Sequence, residues 1–122
     1  MTDHWNADRS DRLSVDRHVI DGVRVVSVRD EIDYDVRGVL SVALLSADSP
    51  EPPLRIVLNL SGVTFMDSSG INVLITAHRE ASDTQGWLRI AAAQEPVLSL
   101  LQMVGVDTFI SCYPTIEQAL NA

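Results

Sequence analysis

The strongest constraint on the fold of this chain is the alternation of two hydrophobic periods along its length. Runs in which apolar side chains recur at every second position alternate with segments in which they recur at every third or fourth. The first spacing is typical of strands and the second of amphipathic helices, so the sequence predicts the order β-β-α-β-α-β-α-β-α. Strands that alternate with helices are joined by parallel crossovers. We therefore expect an α/β fold with a mixed sheet of about five strands and helices packed against it.

Turn residues and breaks in the hydrophobic pattern mark where the predicted strands and helices begin and end. Asp21-Gly22 lies between the first two strands and supplies the residue types of a tight hairpin turn. The apolar run 54–60 predicts a central strand, because it is apolar on one face and partly apolar on the other. Residues 61–66 are expected to form a loop between this strand and the second helix. A short strand is predicted at 109–113.

Composition indicates a folded globule with a polar N-terminal extension. The chain has 122 residues, of which 46% are hydrophobic, and a mean hydropathy of +0.11, which favours one folded domain over a disordered chain. Residues 1–11 are rich in Asp and Arg and predict a mobile tail, with the domain at 12–122. No apolar run approaches the ~20 residues of a membrane helix, and the N-terminus does not resemble a signal peptide. We therefore expect a soluble cytoplasmic protein without a membrane partner.

Charge narrows the choice of partners. The formal net charge is −8 and the isoelectric point is about 4.6. A strongly acidic surface repels phosphate backbones and anionic lipids, which argues against nucleic acid and membrane surfaces as partners. The composition is compatible with a protein that meets other proteins.

The segment Asp67-Ser68-Ser69-Gly70 is the most informative local motif. Asp and Ser are favoured helix N-cap residues, and the segment comes just before the second predicted helix. A serine hydroxyl at that position would lie near unpaired N–H groups at the positive end of the helix dipole, where a phosphate group is stabilised. From spacing alone, a simple helix cap is favoured over a modification site.

The residues around this motif resemble a known family. Phe65-Met66-Asp67-Ser68-Ser69-Gly70-Ile71, following the strand at 56–60, is similar to the signature of STAS-domain anti-sigma factor antagonists. These are bacterial partner-switching regulators of sporulation and stress responses. Asp30-Glu31-Ile32-Asp33 resembles the family's Gly-Glu-(Ile/Leu)-Asp segment, with Asp30 where the family usually has glycine. The resemblance covers about residues 13–120.

The resemblance implies a function and a site. In the family, the serine directly after the aspartate is phosphorylated by an anti-sigma factor that is itself a serine kinase, so Ser68 would be the acceptor. The unphosphorylated protein would bind the anti-sigma factor and free the sigma factor, and a metal-dependent serine phosphatase would reset the phosphorylated form. The chain would be a substrate, without catalytic residues, cofactor or metal. The implied partner-binding residues are Glu31, Asp33, Asp67, Ser68, Ser69, Gly70, Asn72 and Val73.

Two other functions remain open from the sequence. STAS-like domains also occur in transporters and in large stress-sensing assemblies, where this chain would be an interaction module without a switch. A hydrolase is disfavoured, because the nucleophile-elbow pattern Gly-x-Ser-x-Gly is absent.

Four residues on the second helix and near the last strand suggest other roles. Val73 and Ala77 are expected to lie off the buried stripe of the second helix, either as an apolar docking face beside Ser68 or as ordinary scattered apolar residues on the surface. His78 is interpreted as a satisfied residue at the core boundary, and the single cysteine, Cys112, as a small core residue. The histidines and Cys112 lack metal-ligand spacing.

Overall fold

The computed structural model of the protein describes residues 13–46 and 52–122. The predicted tail at residues 1–11 lies outside the described residues. Within them, strands and helices follow one another in the predicted order. The strands are β1 (Leu13–Ile20), β2 (Val23–Ile32), β3 (Arg55–Met66), β4 (Trp87–Ala91) and β5 (Cys112–Tyr113). The helices are α1 (Arg37–Leu45), α2 (Ser68–Asp83), α3 (Glu95–Met103) and α4 (Ile116–Asn121).

The five strands form one mixed sheet in the spatial order β1-β2-β3-β4-β5. β1 and β2 are antiparallel, and the other three neighbouring pairs are parallel. The β1–β2 hairpin turns through Asp21 and Gly22, whose φ values of 52° and 80° are those of a type I′ turn. The predicted mixed α/β sheet is confirmed.

The two faces of the sheet are covered unequally. The larger hydrophobic core lies on the face that packs against α1, α2 and α3, and it includes the even-numbered side chains of the first half of β3, from Ile56 to Leu60. The opposite face carries a smaller cluster around Val25 and Val57, covered by Ala119 and its neighbours on α4. α2 therefore starts at the carboxyl end of β3 and packs on the side of the sheet that carries the larger core.

The path between the central strand and its helix differs from the prediction. Residues 61–66 do not form a loop: β3 runs without interruption from Arg55 to Met66 and pairs with β2 as far as Ile32. The pairing shifts register between Ser27 and Arg29 and again between Asp30 and Glu31. These irregularities break the period of two in this part of the sequence, which explains why it looks like a loop.

The segment before β5 also differs from the prediction. The predicted strand at 109–113 is only Cys112–Tyr113 in the structure, preceded by a 3-10 turn at Val106–Thr108. Phe109 caps this turn and is partly exposed. Gly105 has the left-handed φ of 83° with which the chain leaves α3. Phe109 and Ile110, which were predicted to start the strand, belong instead to the end of this turn, where the N–H of Ile110 donates to the carbonyl of Val106 and the side chain of Ile110 is buried.

Within the described ranges, none of the helices combines the length and the apolar character needed to cross a membrane.

Gly86 and Gly38 offer a matched test of the packing between α2 and β4. A Cβ on Gly86 would overlap the backbone of Leu54, which binds the N–H of Trp87 at 3.0 Å, whereas a Cβ on Gly38 would meet open space in α1. We expect Gly86→Ala to lower the free energy of unfolding by about 2–3 kcal/mol, because backbone atoms have to move. Gly38→Ala should raise it by up to about 1 kcal/mol through helix propensity. Urea unfolding measures both, and equal effects would contradict the prediction.

Candidate functional site

The carboxyl ends of β2 and β3 bring the predicted site residues to one edge of the sheet. Ile32 and Met66 are register partners at the last position of the parallel pair. The N–H of Asp67 then donates to the carbonyl of Ile32 at 3.2 Å, so the chain stays attached to β2 as it enters α2. This hydrogen bond fixes the start of α2 beside the end of β2. We call this edge, formed by residues 31–35 and 65–69, the switch edge.

Asp67 is the N-cap of α2 and uses most of the amides at the helix start. Its carboxylate accepts from the N–H of Ser69 at 2.8 Å, and its carbonyl accepts from Gly70 at 3.1 Å and Ile71 at 3.2 Å. The expectation of unpaired N–H groups around the serines is therefore wrong for these three residues. The cause is that the Asp67 side chain caps the N–H of Ser69, while the N–H groups of Gly70 and Ile71 form the first backbone bonds of the helix with the Asp67 carbonyl.

The two serines differ in accessibility. Ser68 is the first residue of α2 and is exposed, whereas Ser69 is only partly exposed. Gly70 is buried, and a Cβ there would lie 2.7 Å from Cγ of Met66 and 2.8 Å from Cγ2 of Ile32. The helix start is thus pressed against the core at Gly70, and this contact presents the hydroxyl of Ser68 to solvent.

Acidic side chains line the β2 side of the switch edge. Glu31 is exposed at the end of β2, opposite Phe65 of β3. Asp33 is partly buried, and its carboxylate accepts from the N–H of Asp35 at 3.1 Å, which caps the 3-10 turn Tyr34–Val36. Glu31 is thus available to a partner, and Asp33 also shapes the turn.

The predicted apolar docking face on α2 is not present. Ala77 is fully buried in the core, and Val73 is partly buried and packs against it, while Asn72 and Thr76 are exposed. The interpretation of Val73 and Ala77 as a surface pair is therefore wrong. The buried stripe of α2 continues through Ala77 and Ala81 because small side chains allow α2 to approach the sheet closely.

Exposed aromatic side chains at the switch edge were missed in the sequence. Tyr34 is 61% exposed and Phe65 is 47% exposed. The guanidinium of Arg37 lies 3.5 Å from the centre of the Tyr34 ring and also donates to the Tyr34 carbonyl, so the ring is held in place. The exposure of Phe65 follows from strand alternation beside the buried Met66, but this signal depends on β3 reaching Met66, where a loop was expected.

His78 is not the satisfied boundary residue expected from the sequence. Its ring packs against Phe109, with centroids 5.2 Å apart, and its buried Nδ1 has no hydrogen-bond partner among the described residues. His78 follows Ser68 by ten residues on the same helix, which corresponds to about 15 Å along the axis. It therefore lies too far away to act as a general base for the Ser68 hydroxyl.

Cys112 is partly buried against the larger core and its thiol donates to the carbonyl of Ile110 at 3.6 Å. Burial raises the pKa of this thiol, and the carboxylate of Asp107 raises it further. The thiol therefore remains protonated at neutral pH, as suits a packing residue. In residues 13–46 and 52–122, the histidine, cysteine and acidic side chains do not gather into any group of three or more that could hold a metal ion.

Comparison with known proteins identifies the family. The model of the STAS domain matches residues 14–119, so the chain belongs to the STAS family. An anti-sigma F factor antagonist of Paenibacillus polymyxa is 27% identical over 100 residues, which cover 82% of this chain and 86% of the relative. The chain is thus similar to that antagonist over most of its length.

Solved structures support the same family and show how widely its fold is used. A crystal structure of an anti-sigma factor antagonist from Mycobacterium paratuberculosis has a TM-score of 0.80 and 29% identity, covering 91% of this chain and 93% of that one. The murine solute carrier 26 family member A9, an anion transporter, shares the fold with a TM-score of 0.71 and 16% identity, covering 89% of this chain and 21% of the transporter. The fold therefore occurs both as a separate protein and as part of a transporter.

The cap at Asp67 gives a quantitative test of the site's construction. Asp67→Ala removes the acceptor for the N–H of Ser69 and should lower the free energy of unfolding by about 1 kcal/mol. Asp67→Asn keeps an acceptor oxygen in the same position and should cost only a few tenths of a kcal/mol. Chemical denaturation of the two variants distinguishes them, and equal losses would show that the charge of Asp67, not its hydrogen bond, stabilises α2.

Proposed function

We propose that this protein is an anti-sigma factor antagonist that binds its anti-sigma factor through the switch edge and is switched off by phosphorylation of Ser68. The observation that carries the proposal is the exposed hydroxyl of Ser68 at the first position of α2, beside the capping carboxylate of Asp67. The names of similar proteins support the antagonist role. The anti-sigma factor is proposed to be the serine kinase itself.

The local charge supports release upon phosphorylation. A phosphoserine adds a charge of about −1.5 to −2. The amides of Ser69, Gly70 and Ile71 are already bound by Asp67, so they do not neutralise the new charge. A partner would have to bury this dianion next to a carboxylate, which costs desolvation and like-charge repulsion. A loss of about 2.7 kcal/mol in binding corresponds to roughly 100-fold weaker affinity.

The surroundings of Ser68 are suited to a protein partner. Tyr34 and Phe65 supply exposed aromatic rings, which are enriched among the residues that dominate interface energies. Glu31 and Asp33 add negative charge, which would attract a basic patch on the anti-sigma factor and speed its association. Ser69, Gly70, Asn72 and Val73 continue the proposed contact surface, with Gly70 and Val73 contributing through the packing of α2 and not through exposed side chains.

The protein is proposed to act without catalysing a reaction itself. Its chemistry would be supplied by two other proteins, the kinase and a metal-dependent serine phosphatase that removes the phosphate from Ser68. The kinase would transfer the phosphoryl group from ATP bound in its own site, and the phosphatase would hydrolyse the phosphoserine with water at its own metal site. The proposed setting is the bacterial cytoplasm, where sigma factors act.

Phosphate incorporation tests the modified residue. The purified protein is incubated with ATP and a serine-kinase anti-sigma factor from its own organism, and the intact mass is measured. We expect one phosphoryl group, lost in Ser68→Ala and kept in Ser69→Ala, since Ser68 is the more exposed hydroxyl. Phosphate in Ser68→Ala would assign another residue, and no phosphate with any such kinase would reject the switch.

Binding measurements test the consequence of phosphorylation. Isothermal titration should show that Ser68→Ala binds the anti-sigma factor as the unmodified protein does, while Ser68→Asp binds about 10-fold or more weakly. Ser69→Asp is the matched control for added charge on the neighbouring residue. Equal binding of Ser68→Ala and Ser68→Asp would instead favour a STAS interaction module without a switch, as the fold's occurrence in a transporter allows.

Phe65 is the aromatic residue expected to anchor the complex. Because it is 47% exposed at the switch edge, Phe65→Ala should weaken anti-sigma factor binding by about 10-fold or more with little loss of stability. Phe109→Ala is a matched control, since Phe109 is 46% exposed but packs against His78 away from Ser68. Similar binding of the two variants would place the interface outside the switch edge.

A further inference from the structure

A cavity lies where the chain passes from β4 into α3 and from β5 into α4. Its volume is about 510 Å³, and its walls come from residues 92–93, from Leu98 and Gln102 on α3, from Asp107, and from residues 112–114. Crevices at the carboxyl ends of strands are the usual place for ligands in open α/β sheets. A cavity of about 150 Å³ can hold a benzene molecule, so this one has room for a ring with a side chain.

Backbone pairing and one helix face give the cavity its shape. The chain leaves β4 at Ala92 with a φ of 59°, a left-handed conformation that costs energy for a residue with a side chain. The N–H of Ala92 donates to the carbonyl of Tyr113 at 2.8 Å, which ties the end of β4 to the end of β5. Leu98 and Gln102 are four residues apart on α3, so they lie on the same face of this helix. The cavity therefore does not depend on a ligand for its shape.

The walls combine apolar surface with a few polar groups. Ala93 and Leu98 contribute apolar side chains. The polar groups are the amide of Gln102, the carboxylate of Asp107 and the thiol of Cys112. Sites for small molecules typically have this composition, in which apolar area supplies contact and a few polar groups fix the orientation of the ligand.

Asp107 determines which charge a ligand should carry. Among the described residues that line the cavity, Asp107 is the only charged one, so no cation in the walls balances it. Burial raises the pKa of the Cys112 thiol and the Asp107 carboxylate raises it further, so the negative charge is felt at the cavity wall. An anion would be repelled there. A cationic group would instead form a charge-assisted hydrogen bond with the carboxylate.

We propose that this cavity binds a small organic cation, namely a primary amine attached to an aromatic or branched apolar group. The ammonium group would donate to the carboxylate of Asp107 and to the amide oxygen of Gln102, while the apolar group would pack against Ala93 and Leu98. The residues that line the cavity do not belong to the switch edge. The inference does not depend on the proposed function.

An NMR titration of the backbone amides with phenethylamine tests the site. We expect chemical shifts to change at residues 92–93, 98–102 and 107–114, with a dissociation constant below about 1 mM. Phenethyl alcohol has nearly the same shape without the charge and should bind about 10-fold more weakly. Equal binding of the two compounds, shift changes confined to other residues, or no saturation by about 10 mM amine would overturn the proposal.

Matched variants test the role of the charge. Asp107→Asn keeps the size of the side chain, so it should weaken phenethylamine binding to the level of the alcohol and change the binding of the alcohol by less than about twofold. Asp83→Asn removes the same charge from the exposed end of α2, outside the cavity, and should leave both affinities unchanged. Thermal unfolding checks that both variants are folded. Equal effects of the two variants would reveal only the general attraction of an acidic protein for cations and would reject the site.

Cys112 provides an independent readout because it is the single cysteine of the chain. Bound amine should slow the alkylation of its thiol by iodoacetamide, which is measured by intact mass at mildly alkaline pH. With the amine at about ten times its dissociation constant, about one site in eleven is free, so the rate should fall about 10-fold. No protection of the original protein, or equal protection of Asp107→Asn at the same amine concentration, would contradict the proposed site.

Discussion

The hydrogen bond between the N–H of Asp67 and the carbonyl of Ile32 is the interaction on which the switch edge depends. It extends the parallel pairing of β2 and β3 by one residue beyond the strands, to the N-cap of α2. Without it, the residues after Ile32 and those after Met66 would leave the sheet independently. With it, the 3-10 turn that carries Tyr34 and the helix that carries Ser68 start from the same place. The acidic, aromatic and hydroxyl groups are therefore held together by backbone pairing.

The cap on α2 determines what a negative charge at Ser68 can do. A helix N-terminus commonly stabilises a phosphate through its free amides. In this protein Asp67 already occupies those amides, and so a phosphate on Ser68 would gain little from its own helix. We therefore expect phosphorylation to leave the fold unchanged. In the proposed function, phosphorylation thus acts by changing the charge of the surface that the partner binds.

Much of the fold was predictable because its helices and most of its strands are regular. The spacing of apolar residues gave the element order, and Asp21-Gly22 gave the hairpin, since both depend on local geometry. The continuation of β3 to Met66 was not predictable, because the register shifts near Asp30 hide the strand period. Ser68 and Asp67 were identified from their residue types. The burial of Ala77 was missed although Leu74, Ala77 and Ala81 recur at helical spacing, because the predicted stripe followed the larger side chains of α2.

The close packing of Gly70 has a consequence for how Ser68 is recognised. The side chains of Met66 and Ile32 lie against the Cα of Gly70, so the first turn of α2 cannot lift from the core without disturbing both. Ser68 is therefore offered in helical geometry and not as part of an extended strand. An enzyme that binds its substrates as extended peptides would have to unfold this turn first. A short peptide with the sequence of residues 62–74 should consequently be a poor substrate compared with the folded domain. The enzyme's specificity for Ser68 would depend more on the shape of the folded surface than on the local sequence.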